Sequence, residues 1–133
     1  MDNANVAANA VVNTSRFSYS ETVGRLTAAV QAAGATLFAH IDQSAAAAGV
    51  GLSLRPTTLL IYGNPKAGTL LMNTFPLTGL DLPLKFLIWE EDGTVLVAYA
   101  PVKAIFSRYD VTGQVALAEG LERAVSTLVG QVT

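Results

Sequence analysis

Thr57–Met72 reads TTLLIYGNPKAGTLLM. Two threonines and an apolar run ending in Tyr62 have the make-up of a buried strand, because β-branched and aromatic side chains fit a pleated surface. Gly63 to Gly68 then brings together glycines, an asparagine and a proline, the residues that turn a chain. TLLM, Thr69–Met72, is short and apolar, as a return strand would be. On this reading GNPKAG is a hairpin turn. Its rival is a nucleotide loop, which requires GxxxxGK[ST] so that a lysine reaches the terminal phosphates and a hydroxyl binds magnesium. Here Gly68 is followed by Thr69 and Leu70, Lys66 falls inside the loop, and Pro65 lacks an N–H that a phosphate cradle would use. A strand after Gly68 also leaves no helix N-terminus facing an anion. The structural turn is favoured, and the alternative is a turn that also lines a pocket with Asn64 and Lys66.

Working outward, Val11–Phe17 suits a first strand. Ser18 with Glu21 forms a capping box, and Val23, Leu26 and Val30 then repeat at helical spacing beside Ala29 and Ala33, up to a stop at Gly34. ATLFAHI, Ala35–Ile41, reads as a strand. Asp42 is placed to cap a short helix through Ala45–Ala48 that Gly49 ends. After an irregular NTFPLTGLDLP, Leu84–Trp89 and Val95–Tyr99 form a hairpin joined by Glu90, Glu91, Asp92 and Gly93. Pro101 suits the first turn of a helix ending near Tyr109. A final helix starts at about Thr112, with Ala118, Leu121, Val125 and Leu128 on one face. The order predicts an α+β fold, an antiparallel sheet with helices packed on one face.

A chain of 133 residues is sized for one domain, with 1–9 a flexible N-terminus and 10–133 the folded unit. Apolar residues make up 51% and charged ones only 14%, an imbalance that points to burial against a second copy and so to a homodimer. A net charge of −2 with no basic run argues against a nucleic-acid partner. The absence of cysteine excludes thiolate metal sites, disulfides and thiol nucleophiles. No stretch is long and apolar enough to span a membrane, and MDNANVAANAVVNTS has no basic n-region, so a cytoplasmic protein is expected. The alternative is an exported domain lacking its signal peptide, since DNANVAANA is small, polar and unpatterned.

His40 and Asp42 are two apart, so in a strand they share a face and are candidates for an acid–base or metal pair. Two ligands without a further histidine or cysteine do not close a metal site, and no cofactor is expected. Arg55, just before Pro56, and Asp81, between Leu80 and Leu82, are candidates for a charge-assisted bond that locks two loops. Arg55 otherwise offers planar donors to an anionic ligand, with Lys66 or Lys85 adding charge. Ser44 has no nucleophile context, Trp89 and Tyr99 read as core or interface aromatics, and Glu90–Asp92 is a solvated tip.

The run IDQSAAAAGVGLSLRPTTLLIYGNPKAGTLLM, followed by LDLPLKFLIWEEDG, resembles the bacterial and archaeal family known as domain of unknown function 302. The likeness extends from about Ser18 to the C-terminus. Its most specific pieces are Leu54–Pro56, Gly63–Pro65, Leu71–Met72 and Leu80–Pro83. What it implies is a compact domain of TATA-binding-protein-like β-α-β4-α arrangement, a homodimer, and no agreed activity. The family pattern often has an Asp-His pair after the second strand, whereas here Asp42 is followed by Gln43 and the only histidine is His40. An activity that needs that histidine is not supported. Three classes of function follow: a non-catalytic homodimeric small-ligand-binding domain, which is favoured; a cofactor-independent enzyme on a small anionic or carbonyl substrate; and a structural or protein-interaction domain.

Overall fold

A computed structural model describes residues 9–133; the expected flexible segment 1–9 therefore lies, apart from Asn9, outside the described residues. The elements in order are β1 (Val11–Thr14), α1 (Tyr19–Ala32), β2 (Thr36–Asp42), α2 (Gln43–Ala48), β3 (Thr57–Gly63), α3 (Pro65–Thr74), a 3₁₀ turn (Pro76–Leu80), β4 (Leu84–Glu91), β5 (Thr94–Tyr99), α4 (Val102–Arg108) and α5 (Val115–Val129). The five strands form one sheet in the order β1-β5-β4-β3-β2, with every neighbouring pair antiparallel. Without α2, α3, the 3₁₀ turn and α4, what remains is β1, α1, four strands and α5. The α+β expectation holds.

Local chemistry explains most of the boundaries. The Ser18 hydroxyl accepts the Glu21 N–H at 3.2 Å and starts α1, and Gly34, at φ +76°, takes the left-handed conformation that follows its end. The β4–β5 hairpin is tighter than the sequence suggested. Glu90 and Glu91 stay in the ladder, and the turn is Asp92-Gly93, both at positive φ as a two-residue type I′ turn requires.

The opening stretch is where the structure departs from the sequence reading. β3 is present, but GNPKAG is not a hairpin turn and TLLM is not a strand; Pro65–Thr74 is a helix. Asn64 Oδ1 accepts the N–H groups of Lys66 at 3.0 Å and Ala67 at 3.4 Å, and Pro65 occupies the first helical turn. Asparagine at the N-cap followed by proline is a helix start. Gly68 sits within that helix, where it reads misleadingly as punctuation.

The core lies between one sheet face and the helices α1 and α5. Thr58, Leu60 and Tyr62 of β3 are buried while their neighbours are not, a period of two that places this set inward. Phe86 and Ile88, Val95 and Val97, then Leu26 and Val30 from α1 and Val125, Leu128 and Val129 from α5 complete the core. On the opposite face Trp89, Leu96 and Ala98 form a smaller cluster with Val12.

Candidate functional site

Three aromatic rings stand side by side on the core face where β3 and β5 end. Tyr62 stacks on Phe86 at 4.8 Å between centroids and 12° between planes, and Tyr99 meets Phe86 edge-on at 5.9 Å. This follows from register: Tyr62 lies opposite Leu84, and Leu87 opposite Ala98, which sets Phe86 beside Tyr99. Tyr62 is only 3% exposed. Its hydroxyl is buried with no hydrogen-bond partner among the described residues. Burial, then the neighbouring Tyr99, pushes the Tyr62 phenol far above the ordinary tyrosine range. Burial and then the Glu122 carboxylate raise Tyr99 as well. Both phenols are therefore neutral hydrogen-bond donors at physiological pH.

Tyr62 and Tyr99 belong to the wall of a cavity of about 340 Å³ whose lining also includes Asp81, Lys85, Ile105 and Arg108. Asp81 is held at this rim: it accepts the Tyr109 hydroxyl at 2.7 Å and Arg108 Nη1 at 3.4 Å. That bond, ahead of burial, raises the Tyr109 phenol. Lys85 Nζ donates to the Pro83 carbonyl at 3.3 Å.

A second cavity, of about 310 Å³, lies beside the GNP segment, between α3, the Leu82–Leu84 segment and α5. Phe38, Leu71, Met72, Leu82, Leu84 and Leu121 supply its apolar wall, and none of its lining residues is charged. The glycines here make room: a Cβ at Gly63 would stand 3.4 Å from Pro83 Cβ, and one at Gly79 would stand 3.2 Å from Met72 Sδ. The two cavities share Leu84.

Of the residues singled out in the sequence, Asp81 reaches the first cavity and Asn64 the second, where its side chain is occupied as the α3 cap. Lys66 is exposed on the first turn of α3 and lines neither. His40 and Asp42 do share a face, opposite Leu60 and Thr58, but Asp42 caps α2. The Ala45 N–H and the Ser44 hydroxyl hold its carboxyl below the usual carboxylate range, with His40 a minor contributor. Among the described residues no group of three or more His, Asp or Glu gathers into a metal-binding cluster.

The expected Arg55–Asp81 bond is corrected. Arg55 Nη1 binds Glu91 Oε1 at 3.0 Å, and that carboxylate also accepts the Trp89 indole N–H at 3.4 Å. The reason is antiparallel register. Thr57 opposite Trp89 sets Arg55 beside the end of β4, while Asp81 precedes the start of β4, roughly 20 Å away at the rise of an extended strand. Tyr62 was the residue missed. Its one sequence signal is a hydroxyl at the end of an otherwise apolar strand, where a buried tyrosine needs a partner.

These features define a single-domain α+β protein with an antiparallel sheet, a helical layer on one face and two cavities at one end. The chain belongs to the family Domain of unknown function DUF302, which it matches over residues 11–128. The crystal structure of an uncharacterized conserved protein DUF302 from Bacillus stearothermophilus superposes with a TM-score of 0.86, covering 96% of this chain and 100% of that one at 18% identity, and so shares the fold. By sequence the chain is similar to fluoride-specific ion channel FluC 1 of Brucella suis biovar 1, at 44% identity over 77 residues, 58% of this chain and 30% of the channel protein. FluC 1 of Brucella abortus biovar 1 is similar at the same identity, with 28% of its length covered. The match thus takes in less than a third of these relatives. Among the described residues no helix is long and apolar enough to cross a membrane.

Proposed function

We propose that this domain is a non-catalytic, homodimeric module that holds a small, largely apolar molecule at the end of its sheet. The observation that carries this reading is Tyr62, a residue of the 340 Å³ cavity's wall whose hydroxyl is buried without a partner. An unmade hydrogen bond in a core costs about 1–3 kcal/mol, and a bound acceptor removes that cost. Both cavities fall at the small end of the roughly 300–1,000 Å³ range of small-molecule sites. Catalysis has less support. Asp81, the carboxylate in the cavity lining, is tied to Tyr109 and Arg108, and phenols whose pKa is raised stay protonated and supply no phenolate to act as a base. The dimer is supported by the apolar side chains that stand exposed near the second cavity: Phe38, Leu70, Leu77 and Leu80. Native mass spectrometry of gently purified protein tests both points. A dimer carrying extra mass that disappears in Tyr62→Phe supports the reading, and a clean, ligand-free monomer overturns it.

A second reading rests on the Brucella relatives. The shared stretch occurs in proteins named as fluoride channels, so this domain acts as an accessory part beside a membrane channel. Co-expression with a channel lacking such a stretch, followed by fluoride-efflux measurement, tests it: unchanged efflux and no association count against it.

A further inference from the structure

We infer that the two cavities form one bipartite site for an elongated, uncharged molecule with a hydrogen-bond acceptor at one end, the acceptor placed on Tyr62 and the chain running past Leu84 into the cavity under α3. This deepens the binding reading above and rests on it. The two cavities adjoin at named residues of their walls. Leu84 belongs to both walls. Tyr62 lines the first and Gly63, the next residue of β3, lines the second. Leu121 and Val125, one turn apart on α5, each line one of the two.

Their chemistry differs in the way an elongated ligand requires. The second cavity has no charged lining residue, and of its two polar ones Asn64 is already engaged as a helix cap. An apolar chain therefore fits there without stranding a polar group, whereas a charged end would be desolvated with nothing to pair it. The first cavity offers the donor. Tyr62 is neutral and unpartnered, so it selects an acceptor such as a carbonyl, ether or ester oxygen. The charged lining residues each have a partner already, Asp81 and Arg108 in one another and Lys85 in the Pro83 carbonyl, so a neutral head is accommodated without breaking any of these bonds.

The sequence supplies convenient reporters. Met72 is the only methionine besides Met1, and Ile105 is one of four isoleucines; Met72 lines the second cavity and Ile105 the first. The wild-type protein with ¹³C-labelled methionine and isoleucine methyl groups is titrated with 2-butanone, a bare acceptor, and with 2-decanone, the same acceptor on a chain. 2-Butanone should shift Ile105 alone, while 2-decanone should shift Ile105 and Met72 and bind on the order of 1,000-fold more tightly, its six further methylenes contributing up to about fourfold each when buried. Tyr62→Phe should weaken both ligands about tenfold. Ala67→Phe, filling the second cavity from α3, or Leu121→Trp, filling it from α5, should abolish the advantage of the chain and leave 2-butanone unaffected. If both ketones shift Ile105 and depend on Tyr62 but 2-decanone leaves Met72 unmoved, the bipartite site is wrong and the Tyr62 site stands. If 2-decanone shifts Met72 alone and is indifferent to Tyr62→Phe, both readings fail, as they do if neither ketone shifts either methyl.

Discussion

Replacing Tyr62 by phenylalanine removes one oxygen atom and should make the ligand-free protein more stable. The ring stack on Phe86 at 4.8 Å is preserved, and what is lost is a hydroxyl buried without a partner. Such a group costs about 1–3 kcal/mol, so a gain of about 1 kcal/mol is expected, which corresponds to about 4 °C in Tm for a domain of this size. The pH dependence adds a second signature. The folded chain holds the Tyr62 proton more tightly than the unfolded chain, because its phenol is raised above the ordinary value of 10.0. That stabilisation is complete below the ordinary value and is lost as the pH rises through the folded one. Wild-type stability should therefore fall above about pH 10, and the Tyr62→Phe protein should fall less steeply. Urea unfolding at pH 7 and at pH 10.5 measures both effects. Destabilisation of 1 kcal/mol or more at pH 7 would refute the reasoning, since it would mean that the hydroxyl makes a favourable bond in the folded chain. A residue whose removal strengthens the fold and weakens binding is kept for binding.

Other expectations are more local. Arg55→Ala should cost no more than about 1 kcal/mol, because its pair with Glu91 is half exposed; a loss near 3 kcal/mol in chemical unfolding would instead indicate a buried pair. Asn64→Ala should cost about 1 kcal/mol by uncapping α3, and Asn64→Asp should restore most of it; equal stability of all three would show that the cap contributes nothing. Lys66→Ala, at an exposed first-turn position, should stay within about 0.5 kcal/mol of wild type in the same assay. Sedimentation should give a dimer that the paired change Leu77→Asp and Leu80→Asp converts to monomer, both side chains being exposed; a dimer unaffected by that pair places the interface elsewhere.

The elements whose cause lies within a few residues were legible in the chain itself. Ser18 and Glu21 start α1 through a contact three residues long, Asp42 caps α2 in the same way, and the alternation along β3 marks its buried face. The resemblance to DUF302 was legible too, because Leu54–Pro56, Gly63–Pro65 and Leu80–Pro83 occur together and in order. GNPKAG shows the limit of local reading. Asparagine, proline and glycine serve turns and helix starts alike, and what decides between them is whether the following TLLM finds a strand to pair with or an apolar surface to cover. Here the neighbours of β3 are β2 and β4, so no ladder position was free beside it, and Leu71 is buried in the core as part of a helix. The partner of Arg55 was likewise set by register between strands, which no spacing in the chain records. Tyr62 depended on tertiary structure most of all. A hydroxyl in an apolar strand acquires its meaning only when Phe86, Tyr99 and α5 close around it from 24 or more residues away and leave it unpaired.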